Sequence, residues 1–79
     1  MLTKDAILSK DYEKLMRLIG ADIIFLFGSV LTENFRSDSD IDIGIYFENR
    51  SYDKNSIYDA VIDFFRTDQI DVAFLNEAA

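Results

Sequence analysis

The sequence predicts a small two-layer α/β domain, a mixed sheet with helices on one face. Three observations carry this. Residues 3–19 and 53–66 place apolar side chains at helical spacing. Residues 22–27, 40–47 and 69–75 read as strands. Helix and strand segments then alternate along the chain, as they do in α/β folds.

The first helix spans residues 3–19 and carries Ile7, Leu8, Tyr12, Leu15, Met16 and Ile19 on one stripe. Thr3 suits its N-cap and Gly20 its C-terminal stop. The run IIFLF within residues 22–27 is continuously apolar and reads as a buried strand. Residues 29–35 suit a short helix, and residues 37–39 a turn, with Asp38 as a turn or capping residue. From Asp40 the pattern alternates strictly. Ile41, Ile43, Ile45 and Phe47 share one face; Asp40, Asp42, Gly44 and Tyr46 share the other. The helix over 53–66 shows Ile57, Tyr58, Val61, Ile62, Phe64 and Phe65 as its stripe. In the last strand Ile70, Val72 and Phe74 alternate with Asp71, Ala73 and Leu75. Tyr12, Tyr58, Phe25, Phe27, Phe64, Phe65 and Phe74 are expected in the core, and Tyr46 toward solvent or a partner.

Composition narrows the chemistry. A chain of 79 residues is one small domain with a thin core. It contains neither cysteine nor histidine, so disulfides and the usual transition-metal ligands are absent. Any metal site must be built from oxygen, which favours magnesium, manganese or calcium. The net charge of −7 argues against non-specific nucleic-acid binding and suits a basic partner. No apolar run reaches the length of a membrane span and no signal-peptide core is visible, so the expected location is cytoplasmic.

Element order suggests where the acids meet. A full helix joins the second and third strands, which favours a parallel pair. Asp40, Asp42 and Asp71 then lie at one sheet edge, and an antiparallel first strand brings Gly28 and Ser29 there too. Carboxylates two residues apart on a strand lie roughly 6.7 Å apart and repel by about 2–3 kcal/mol at an effective dielectric of about 20. A divalent cation relieves that repulsion. Gly28 lets a ligand approach the backbone, and a helix beginning at Ser29 offers unpaired N–H groups to a phosphate. Two plainer readings compete. Asp40 and Asp42 could simply solvate an open sheet face. Asp38, Asp40 and Asp42 could open an EF-hand loop, but Ile43 and Asn49 stand where that loop needs glycine and glutamate.

Gly28-Ser29, ten residues, then Asp40-x-Asp42, with Asp71 in a later apolar strand, resembles the nucleotidyltransferase superfamily typified by the polymerase-beta palm. The context FGS…SDSDIDIGI looks most like the minimal nucleotidyltransferases, many of which are antitoxins encoded beside a HEPN-type ribonuclease toxin. The resemblance implies that Asp40 and Asp42 hold Mg2+ (or Mn2+) bridging the triphosphate of ATP. It implies that Asp71 ligates the metal or activates the attacking hydroxyl, and that Gly28 and Ser29 bind the nucleotide. The implied reaction moves AMP from ATP to a hydroxyl, in antitoxins of this kind a tyrosine of the toxin. Members often carry arginine or another polar residue just after Gly-Ser and a glycine a few positions on; here Val30, Leu31 and Thr32 follow, no glycine appears before Gly44, and Arg36 is the nearest compensating cation. The alternative is an MNT-fold antitoxin, short of a full catalytic site, that neutralises a basic toxin by binding alone. Residues 1–79 are expected to form one minimal nucleotidyltransferase domain, truncated at its C-terminus or completed by a partner.

Overall fold

The computed structural model describes residues 3–33, 35–36, 39–49 and 51–77. The expected leading helix is two helices, α1 (Lys4–Leu8) and α2 (Tyr12–Ile19). The cause is local. Thr3 caps α1 by accepting from the Ala6 N–H, and Asp11 starts a new helix by accepting from the Lys14 N–H. The Tyr12 hydroxyl spans the break with a 2.6 Å bond to the Ile7 carbonyl, and burial pushes its pKa up to about 12. Leu8, expected in the stripe, is exposed because the break turns it outward. Gly20 ends α2 in the left-handed region at φ 73°.

β1 (Ile23–Phe27) follows, then a single 3-10 turn, Gly28–Leu31, where residues 29–35 suggested a helix. Val30 from that turn is fully buried and anchors it to the core, while Leu31 beside it is exposed. β2 (Ile41–Tyr46) is the central strand. α3 (Lys54–Phe65) is capped by Asp53, whose carboxylate accepts from the Asn55 N–H and the Ser56 hydroxyl. It ends at Arg66, a non-glycine residue in the left-handed region at φ 58°. β3 (Ile70–Phe74) completes the sheet in the order β1-β2-β3, with β1 antiparallel and β3 parallel to β2. The expected pairing scheme is the one found.

Ile41, Ile43, Ile45 and Phe47 are buried beneath the helices, together with Ile7, Leu15, Ile57, Val61 and Phe65. Tyr12, Tyr58, Phe64 and Phe74 pack around them as expected. β1 does not match the buried strand that IIFLF suggested. It is an edge strand whose Ile24 and Leu26 face the core while Ile23, Phe25 and Phe27 face outward. Phe25 and Phe27 therefore leave the expected core set, because every helix of the described residues packs on the other face.

The residues after β3 clasp the loop after β2. The Asn76 amide donates to the Phe47 carbonyl at 2.6 Å and accepts from its N–H at 2.8 Å, extending the ladder by one side-chain rung. Tyr52 stacks between Phe47 and Phe74, with centroids 4.5 and 5.4 Å away. Glu77 accepts from Lys54 Nζ and from the Tyr52 hydroxyl, and these bonds lower its carboxyl from its ordinary value. Among the described residues, no helix is long and apolar enough to cross a membrane.

Candidate active site

The sheet register assembles the site. Phe27 pairs with Asp42 across β1 and β2, and Asp42 pairs with Asp71 across β2 and β3. Residues in one register row point to the same face. Asp42 and Asp71 are therefore adjacent, with Asp40 two residues earlier on the Asp42 side, exposed just before β2. The DxD motif thus leads straight into a strand, with Asp42 on β2 and Asp40 just before it, which removes the EF-hand reading.

Gly28 lies against Asp42, at φ 78°. A Cβ built on Gly28 would overlap Asp42 Oδ2 and come 3.0 Å from its Cγ. The sequence suggested that a glycine leaves room for a ligand; in the fold, the Asp42 carboxylate takes that room. Ser29 is half-buried in the turn. Its carbonyl accepts from the Thr32 N–H at 3.0 Å and the Thr32 hydroxyl at 2.9 Å. The Thr32 carbonyl in turn accepts from Lys4 Nζ at 3.0 Å. Four residues in a 3-10 turn carry little axial dipole, so the phosphate-facing resource is a few N–H groups rather than a helix terminus.

Electrostatics agree with the register. The Asp42 carboxyl is pushed above its ordinary value, first by burial, then by the charges of Asp71 and Asp40. Neither ion pair among the described residues, Glu13–Arg17 or Lys54–Glu77, offsets this charge. Among the described residues no three acidic side chains are placed so that together they could hold a metal ion. The adjacent Asp42 and Asp71 are brought together; Asp40 shares their edge without closing a three-carboxylate cage.

The remaining expectations sort clearly. Arg36 is exposed, and its N–H donates to the Ser39 hydroxyl at 3.0 Å in the turn leading to β2. Asp38 lies outside the described residues. Tyr46 shares the aspartate face but stands four residues beyond Asp42, roughly 13 Å along the strand. Lys4 and Thr32 are the residues that sequence reading missed. Their link spans 28 positions, and the one local signal was a threonine three residues after Ser29. The grooves along the seam of α2 and α3 contain none of the site residues.

A mixed sheet presenting a glycine-serine turn beside strand carboxylates defines a nucleotidyltransferase-type domain. The family model for the polymerase beta nucleotidyltransferase domain matches residues 10–79, and the chain belongs to that family. No curated protein and no solved structure matches it significantly. Membership takes the activity as far as nucleotidyl transfer.

Proposed function

We propose that this domain moves AMP from ATP to a hydroxyl of a partner protein in a magnesium-dependent reaction, and acts as an antitoxin in the cytoplasm. The observation that supports it most is the row Phe27, Asp42, Asp71 with Gly28 folded against Asp42. It puts the glycine-serine turn and two carboxylates at one point of the sheet edge.

The donor chemistry fits a hard cation. All donors are oxygen, and Asp42 carries repulsion that a cation relieves. Asp42 and Asp71, neighbours in the register, would hold the ion, with Asp40 exposed at the same edge outside that pair. Bound Mg2+ or Mn2+ would supply charge neutralisation at the phosphates and orientation of the leaving group. The Gly28 amide and the Ser29 hydroxyl would bind phosphate oxygens. The acceptor oxygen bonds to the α-phosphorus, the bond to the β-phosphate oxygen breaks, and pyrophosphate leaves. Asp71 would take the hydroxyl proton. The partner we propose, through the likeness to minimal nucleotidyltransferases, is a HEPN-type toxin with an acceptor tyrosine.

Incubation with labelled ATP, magnesium and the product of the adjacent reading frame tests this. Label should appear on the partner with wild type and vanish with Asp42→Ala. An unlabelled partner sinks the proposal. The open carboxylate arrangement favours a second reading, neutralisation of a basic toxin by contact alone. In that case Asp40→Ala/Asp42→Ala still protects cells.

A further inference from the structure

The sheet's outward face bears an apolar shelf beside the carboxylates. Ile23 is 51% exposed, Phe25 41% and Phe27 36%. Edge strands are usually blunted by charge, yet β1 carries none. Phe25 lies over Gly44, where an added Cβ would meet its ring at 2.5 Å. The rings of Phe25 and Phe27 have centroids 5.7 Å apart. Phe27 is the register partner of Asp42, so the shelf runs directly into the candidate site.

We propose that this shelf is the docking face for the acceptor, and that the acceptor is a basic protein surface with an aromatic or aliphatic centre. The proposal rests on the nucleotidyl-transfer reading above. Charge selects the occupant. No lysine or arginine stands on β1, β2 or β3. Asp40, Asp42 and Asp71 border one end of the face, and Asp22 and Glu48 flank the other. Lys10, Lys14 and Arg66 instead line a groove on the helical side. A nucleic-acid acceptor would set its phosphates against this acidic border. A second copy fits poorly too. It would set a second acidic border against this one. Two copies at −7 also repel. A basic partner gains from both the shelf and its border.

The test maps backbone NMR shifts of the whole chain on titration with a lysine–tyrosine copolymer, a glutamate–tyrosine copolymer serving as control. Shifts should concentrate on Ile23, Phe25, Phe27 and Gly44, weaken with salt, and be absent with the acidic polymer. Ile23→Lys, an exposed edge position, should weaken copolymer binding about tenfold or more and leave ATP binding unchanged; Phe25→Gln should act likewise. Equal binding of both polymers, shifts at the α2–α3 groove, or concentration-dependent shifts of the shelf in the protein alone would overturn it. So would loss of ATP binding in Ile23→Lys, which would assign the shelf to the nucleobase. Shelf binding by a wild type that transfers no nucleotide would instead sink the transfer reading and leave the docking face standing.

Discussion

Replacing Gly28 by alanine separates the backbone role of that residue from its role at the site. At φ 78° an alanine carries a left-handed conformational cost of about 1–2 kcal/mol. Its Cβ also overlaps Asp42 Oδ2, so Asp42 must rotate away or β1 and β2 must part. Rotation is the easier path because Asp42 is only partly buried and the move relieves its repulsion with Asp71 and Asp40. Stability should therefore fall by only about 1–2 kcal/mol, while a carboxylate displaced by an ångström or more costs about 10²-fold in transfer. Gly20 supplies the control. It has φ 73° with nothing within 4 Å of an added Cβ, so Gly20→Ala carries the backbone cost without the overlap. Thermal melts and labelled-ATP transfer on both variants make the comparison. Matched melting temperatures with activity lost only in Gly28→Ala are expected. Gly28→Ala with activity within about threefold of Gly20→Ala would refute the placement of Asp42 against the turn.

The site and the contacts around it set the other expected outcomes. Asp42→Asn should abolish transfer yet raise stability by roughly 0.5–1 kcal/mol at physiological salt, since two exposed neighbours at strand spacing repel weakly through water; urea melts check this. The Asp42 carboxyl lies above its ordinary value, so its charging costs the fold stability as pH rises from about that ordinary value, 3.8, through its folded value, and the Asp42→Asn variant should lack that decline. Glu77 is lowered, so its contribution is present above 4.5 and lost as pH falls through its folded value; melts of Glu77→Gln against pH should be flatter there. Asn76→Ala leaves the part-buried N–H and carbonyl of Phe47 unpaired and should cost about 1–3 kcal/mol, read from denaturant midpoints. Arg66→Gly removes left-handed strain at the end of α3 and should stabilise by about 0.5–1 kcal/mol in the same assay.

Features that depend on local periodicity and spacing were legible in the chain alone. Alternation from Asp40 to Phe47 told which side chains of β2 face the core, and the caps at Thr3 and Gly20 could be read as single residues. The order of elements implied the mixed sheet, and with it the meeting of Gly28, Asp42 and Asp71. Tertiary structure decided what depends on a distant neighbour. IIFLF is apolar on both faces, and nothing within it tells whether both are covered; only the packing of every described helix on one side left Phe25 and Phe27 open. The role of Gly28 depends on an Asp42 carboxylate fourteen residues away in sequence and against it in space. The helix break at Asp11 is local in cause, a side-chain cap that the apolar spacing of residues 3–19 runs through without marking. Periodicity says which way a side chain points. What it meets there is set by chain segments that the local pattern does not contain.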